Sequence, residues 1–443
     1  MPGPVPAPLF DALARGGGGH EAIAHLRAAQ YGKHLLLLRR VVDATLEGRH
    51  PEAARVREAY ELLARAQEHA PEPVTGVLRH PTVGVWARRT LLSLGGHLPG
   101  PPRLGTLSAL AAAAALRART DARLRVPLDG PTAPLPSLGR ALVGEGTRGA
   151  WCEIGGGRAL LRRPGGPEVE VPEDPHEDAP GWQALRRLEA CHRGRRVELY
   201  LDDQDPDRLP GTDLPARRLS PGETVTWRRA LEGAWELLVE YHEEVAEEVA
   251  ALVLTLTPIT TPGNGTHTSA TAQHAFGNLG LSTPTGPVPF ALTFAHEVQH
   301  AKLTALLDLV DLTLPEDGAR FYAPWRPDPR PAAGLLQGVY AHLGVAGFWG
   351  RHRHTVRGEE ARRAHADFAH WRRSTSDAAR VLAGSGRLTA EGERFLARTG
   401  LTLREWLEEP VPVEAERAAR ETARRHLDRW RARNGALRHG ALR

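Results

Sequence analysis

Cysteine is almost absent: Cys152 and Cys191 are the only two in 443 residues. Two thiols build neither a zinc ribbon nor a disulfide framework, and their scarcity fits a reducing, cytoplasmic compartment. Lysine is as rare, with Lys33 and Lys302 alone, so arginine carries nearly all the positive charge. The net charge is only +4. An arginine and alanine bias with so little net charge reflects GC-rich coding rather than a nucleic-acid footprint, so no nucleic-acid partner is expected. No apolar run reaches the ~18 residues of a membrane span; residues 35–38 are a short leucine patch between charges. The N-terminal MPGPVPAPLFDALARGGGGH lacks a basic stretch followed by an apolar one, so neither a membrane nor a secretory signal is expected.

What is present suffices for a sizeable core. Hydrophobic residues make up 41% of the chain, and its length suggests two or three lobes. Residues 1–122 carry apolar positions at helical spacing, among them Ile23, Leu26, Leu35, Leu38, Val41 and Val42. Residues 16–19 are all glycine and read as a flexible break. Residues 98–102 read as a turn, and the alanine-rich residues 108–118 as a closely packed helix.

Over 123–215 short apolar runs alternate with Gly and Pro clusters, which predicts a small antiparallel sheet. The acidic residues Asp202, Asp203, Asp205 and Asp207 that follow read as a solvated turn, with a cation loop as the rarer alternative. A helical domain is expected over 216–443. Ser220-Pro221-Gly222-Glu223 has the form of a capping box. One helix behind it would bury Trp227, Leu231, Trp235, Leu238, Val245 and Val249 and wet Glu243, Glu244, Glu247 and Glu248. Residues 251–256 are a buried strand candidate. The tail 414–443 reads as a basic terminal helix, solvated or docking an acidic peptide.

Chemistry enters with His296-Glu297-Val298-Gln299-His300. Histidines four apart share one face of a helix and can hold one ion between them. Glu297 lies near the same ion, and in zinc proteases such a glutamate takes a proton from bound water. An apolar face running on through Leu314 supports a helix here. Two histidines need a third protein ligand. A third histidine at the short metzincin spacing is excluded, because positions 303 and 306 are both leucine. His342, alone in the apolar stretch 334–349, is the leading candidate. Its rivals are Asp308, Asp311, Glu316, His352, His354 and His365. Between the two segments the proline-rich residues 321–331 carry Tyr322, Arg326 and Arg330, where an arginine on restricted backbone suits a carboxylate. The fold class expected is α+β and mainly helical: a zincin-like helical metal domain with a small antiparallel sheet.

Three stretches, HAFG at 274–277, HEVQHAKLTALLDLV, and FYAPWRPDPRPAAGLLQGVYAHLGVAGFW, resemble the HExxH-motif peptide-modification proteins of actinobacterial ribosomal-peptide gene clusters. These are also described as 2-oxoglutarate-dependent HExxH-type peptide β-hydroxylases. The likeness is specific over about residues 265–375. It implies Fe(II) on His296 and His300, with 2-oxoglutarate and O₂ as cosubstrates. It implies hydroxylation of a β-carbon in a precursor peptide, with a maturation enzyme as a further partner. Arg326 and Arg330 match the family's PWRxDPRP stretch, so the resemblance assigns one of them to the 2-oxoglutarate carboxylate, with Tyr322 beside it. Glu297 then orients a ligand or water. Two alternatives stand beside this reading: a zinc metallopeptidase with Glu297 as general base, and a non-catalytic peptide-binding partner.

Overall fold

The computed structural model describes residues 5–146, 149–260 and 268–435. The chain opens with six helices: α1 (Ala7–Ala14), α2 (Gly19–Glu47), α3 (Ala53–His69), α4 (Pro71–Leu78), α5 (Pro81–Leu94) and α6 (Thr106–Arg117). Strands follow: β1 (Ala122–Val126), β2 (Thr132–Leu135), β3 (Gly139–Leu142), β4 (Ala150–Gly155), β5 (Arg158–Arg162), β6 (Val169–Glu170), β7 (Trp182–Ala184), β8 (Arg186–His192) and β9 (Arg195–Leu201). Next come α7 (Pro221–Tyr241), α8 (Glu243–Leu252), β10 (Thr255–Pro258), β11 (Ser269–Ala270) and β12 (Asn278–Leu281). The remainder is α9 (Pro287–Leu307), α10 (Ala332–His352), α11 (Gly358–Ala383), α12 (Ala390–Glu408) and α13 (Val413–Asn434). The fold is α+β and mainly helical. Among the described residues no helix is long and apolar enough to cross a membrane.

Among the described residues there are three sheets instead of one small one. Two are antiparallel, ordered β1-β4-β5-β6 and β2-β3-β7. The third, β11-β12-β10-β9-β8, is mixed: β10 runs parallel to both β9 and β12. It joins strands from before and after residue 215. Parallel pairing needs a crossover, and α7 and α8 supply it between β9 and β10. The strand after α8 spans 255–258 rather than 251–256, because α8 runs on to Leu252.

The capping box at Ser220 forms as the sequence predicts: Glu223 N donates to Ser220 Oγ, and the Glu223 carboxylate accepts from Ser220 N. The helix behind it is two helices. It breaks at His242, whose ring stacks on Phe348 with centroids 4.3 Å apart. Glu248 is not wet. It is buried, and receives Lys302 Nζ at 2.6 and 2.8 Å. The same ammonium donates to Gly16 O (2.9 Å) and Gly17 O (3.1 Å), so the expected flexible break is a pinned turn. Gly16 is required there: its φ is +94°, and a Cβ would meet Leu343 at 2.7 Å.

α9 is wedged between two cores. Its N-terminal half packs Phe290, Phe294 and Val298 with Trp227, Trp235 and the mixed sheet. Its C-terminal half packs Leu303 and Leu306 with Phe10, Leu13, Leu335 and Val339. Each such side chain contributes about 1.5–3 kcal/mol when fully buried, so the helix that carries the motif is held from both sides. It ends at Leu307, and Leu314 is exposed rather than part of its apolar face. The terminal helix α13 is docked on α11 through Ala415 and Ala419. The last eight residues of the tail lie outside the described residues.

Candidate metal centre

Pro287 stands in the first turn of α9, where its missing N–H costs nothing. Nine residues on, His296, Glu297 and His300 each offer a ligand atom, and the three atoms lie within 4.8 Å of one another. The imidazole centroids of His296 and His300 are 4.8 Å apart, with the rings nearly perpendicular at 79°. The four-residue spacing has therefore produced convergence. Glu297 is buried. Its Oε2 accepts from Thr271 Oγ1 at 2.5 Å, and its Oε1 lies 3.7 Å from His296 Nε2. Thr271 follows the edge strand β11, so the mixed sheet sets the orientation of the glutamate.

Both neighbours of His296 are oriented by hydrogen bonds at Nδ1. Gln337 Nε2 donates to Thr304 Oγ1, so its Oε1 is the atom that accepts from His300 Nδ1–H, at 3.0 Å. His342 Nδ1 lies 2.8 Å from Gly338 O, and a carbonyl only accepts, so this nitrogen carries the proton. In each ring the lone pair is left on Nε2, the arrangement a metal-binding histidine needs. Burial pulls His296 down to about 4; Glu297 opposes that shift and His300 adds to it. Burial, reinforced by His296, holds His342 well below the ordinary imidazole range. Both are neutral near pH 7, the form that ligates.

His342 is brought to His296 by the close approach of α10 to α9. The two rings are 5.1 Å apart and nearly perpendicular at 84°. Gly344 permits the approach, since a Cβ there would lie 2.2 Å from Ala295 O. Trp325 stacks on one side of His342 (4.2 Å, 14°), over the space a Cβ on Gly338 would fill, and Trp371 packs against the ring at 4.7 Å. His342 thus adjoins His296. The close grouping of ligand atoms holds His296, Glu297 and His300 and does not include it.

The remaining candidates have other partners. Arg326 Nε and Arg330 Nη1 donate to the two oxygens of Asp328, at 2.9 and 3.2 Å. Trp325, next in sequence to Arg326, is their link to His342. Tyr322 donates to or accepts from His426 Nδ1 at 2.8 Å and packs edge-on against Trp430, so its contacts run to α13. Among the rival ligands, Asp308 receives Lys33 and Gln30, Glu316 faces Arg320, and His352 packs on Phe348. Sequence reasoning missed Thr271, Gln337 and Trp371 as partners of the motif, whereas Trp325 stands in an aromatic set that the sequence offers as a pocket lining. Gln337 had a signal, the one amide on the mostly apolar segment that carries His342. Thr271 had none.

No family model matches the chain, and no curated protein matches it. Imidazoles converging beside one buried carboxylate, two of them with Nδ1 occupied by an acceptor, suit a divalent transition metal such as iron or zinc.

Proposed function

We propose that this chain is a metal-dependent peptide-modifying enzyme. In this reading it is an Fe(II)- and 2-oxoglutarate-dependent hydroxylase of a β-carbon in a ribosomally made precursor peptide. The region around α9 is read as zincin-like, and the enzyme as cytoplasmic, which its two free thiols support. The observation that carries the reading is the set of imidazoles around His296, with His300 at 4.8 Å and His342 at 5.1 Å. The resemblance of residues 265–375 supports iron; residues 265–267 of that stretch lie outside the described residues.

His296 and His300 would hold the metal, with His342, which adjoins His296 just outside the close grouping of ligand atoms, as the third ligand on a small inward shift. Iron held there would supply the oxidation in which O₂ and 2-oxoglutarate give succinate, CO₂ and the hydroxylated peptide. Gln337 and Gly338 O keep two of the imidazoles turned inward. Trp325 and Trp371 shield His342 from water. Arg326 or Arg330 receives the distal carboxylate of 2-oxoglutarate by exchanging one guanidinium–carboxylate pair, that with Asp328, for another.

A second reading, a zinc peptidase, is favoured by Glu297. It is buried, fixed by Thr271 and 3.7 Å from His296 Nε2, in reach of a water at the metal whose proton it would take. One experiment separates the readings. The protein is loaded anaerobically with Fe(II) or Zn²⁺ and incubated with candidate precursor peptides, with and without 2-oxoglutarate and O₂. The hydroxylase yields succinate and a peptide heavier by one oxygen, about 16 Da. Peptide fragments with zinc and no succinate would establish the peptidase instead. Peptide binding without either product would leave the binding partner. Glu297→Gln should lower peptidase turnover about 10²–10⁴-fold, and hydroxylation, where Glu297 only orients a ligand or water, by no more than about 10–100-fold.

A further inference from the structure

The acidic loop 202–207 is not solvated. Asp202, Asp203 and Asp207 are buried, and Arg218 and Leu219 N hold Asp203, while Arg103 holds Asp207. Where this loop meets the start of α5 and the β2–β3 hairpin lies an inner cavity of about 40 Å³. Its wall includes His80, Ser137, Arg140, Asp202, Gln204 and Asp205. The cavity shares Asp129, Pro134, Pro136, Asp205 and Pro206 with an outer cleft of about 410 Å³. Trp86, Leu110 and Leu128 line that cleft, whose size is that of a small-molecule site.

Four polar atoms of the inner wall are buried without a hydrogen-bond partner: His80 Nε2, Ser137 Oγ, Asp202 Oδ2 and Gln204 Oε1. Buried polar atoms are ordinarily paired. His80 and Asp202 are only 2% and 1% exposed. Ser137 is also one of four non-glycine residues at positive φ among the described residues, at +70°, a strained conformation that clusters at binding sites.

The polarity of two of these atoms follows from the other half of each side chain, and that of the third from its tautomer. Thr82 Oγ1 lies 2.9 Å from His80 Nδ1 and can accept its proton, the tautomer that leaves His80 Nε2 a bare lone pair for a donor. Asp202 Oδ1 is taken by Gln204 N and Asp205 N, leaving Oδ2 as an acceptor. Gln204 spends its Nε2 on Ala184 O at 2.6 Å, leaving Oε1 as an acceptor. The missing occupant must donate. Three carboxylates, Asp129, Asp202 and Asp205, line the cavity against one guanidinium, Arg140, whose Nε is held by Gln183 at 2.7 Å. Burial raises both Asp202 and Asp205, a strain that a bound cation relieves. A metal is the poorer fit, because among the described residues the one close grouping of His, Asp and Glu ligand atoms is that on α9.

We propose that this cleft binds a small primary amine in its ammonium form. The head donates to His80 Nε2, Asp202 Oδ2 and Gln204 Oε1, and the apolar body lies along Trp86, Leu110 and Leu128. An ammonium has three donors and no acceptor, which matches the three lone pairs. The site is independent of the chemistry at α9.

The test uses the full chain and its H296A/H300A variant, titrated calorimetrically with n-hexylamine, n-hexanol and n-hexanoate. Hexylamine should bind at one equivalent in both proteins, at least tenfold more tightly than the alcohol or the acid. Asp202→Asn should weaken hexylamine at least tenfold. Leu128→Trp, which fills the outer cleft and leaves the polar atoms untouched, should do the same if the first variant does not fold. Equal binding of hexanol and hexylamine overturns the proposal, as does no binding of any of the three, which would leave water as the occupant. Stoichiometric Mn²⁺ or Zn²⁺ in the H296A/H300A variant, lost on Asp202→Asn, overturns it in favour of a metal.

Discussion

Gly344→Ala probes the packing that brings the second His-bearing helix to the first. A Cβ at 344 would lie 2.2 Å from Ala295 O and 2.8 Å from Gln299 Cγ, where ordinary contact begins at 3.4 Å. The nearest obstacle is backbone, so a rotamer change cannot relieve it. The helices must part by about 1.2 Å, the difference between the first and last of those distances. Ala295 precedes His296, and His342 lies two residues before Gly344, so the opening falls on the 5.1 Å contact between those imidazoles. Overpacking costs about 1–3 kcal/mol, and alanine regains about 0.8–1 kcal/mol of helix propensity over glycine. The net expectation is a loss of up to about 2 kcal/mol in urea unfolding of the metal-free protein, toward the upper end because the obstacle is backbone. Metal affinity, measured by competition with a chromophoric chelator, should fall about tenfold or more. Gly347→Ala is the control on the same helix. Its Cβ would meet only the Trp406 ring, at 3.2 Å, so stability changes less and metal binding not at all. Unchanged stability and affinity in Gly344→Ala would refute the reasoning, and so would equal metal loss in the control.

Three further outcomes are expected. Gln337→Leu removes the acceptor for His300 Nδ1, so metal affinity should drop about 10–100-fold with the fold retained; an unchanged affinity measured by the same competition would rule out the orienting role. Lys302→Met strands the buried Glu248 carboxylate and frees the Gly16–Gly17 turn, at about 3–5 kcal/mol, and a Lys302→Met/Glu248→Met double variant should recover part of that; a single-variant loss under about 1 kcal/mol in urea unfolding would contradict a tightly held pair. Burial lowers His242 to about 3, so the unfolded chain takes up a proton near pH 6.5 that the folded chain refuses until about pH 3. Stability is therefore complete above pH 6.5 and falls as pH drops, by up to about 1.4 kcal/mol per unit; His242→Phe should flatten the urea midpoint between pH 6.5 and 4, and an unaltered slope would contradict a buried neutral imidazole.

Features that depend on neighbours in sequence were legible. The capping box at Ser220, the burial of the alanine-rich α6 and the apolar α10 around His342 all follow from local spacing, which fixes the faces of a helix. Polar residues were the ones misjudged. Glu248 reads as one of four surface glutamates, and only the arrival of Lys302 from α9 makes its burial tolerable. Asp202 and Asp203 read as a wet turn, and backbone N–H groups with Arg218 bury them instead. The glycine run reads as slack, and Lys302 and Gln299 tie it down. Composition predicts a polar residue outside, and only a partner distant in the chain reverses that.

By itself the sequence determined that His296 and His300 meet, because four residues are about one helical turn and the helix needs nothing beyond its own backbone to set that angle. Everything that turns the pair toward a shared centre was decided in three dimensions. Thr271 comes from a sheet edge, Gln337 and His342 from a helix that Gly344 lets approach, and Trp325 and Trp371 from two further segments. Their separations along the chain carry no periodicity, so only the packing of α9 between its two cores brings them within hydrogen-bond and ring-stacking range.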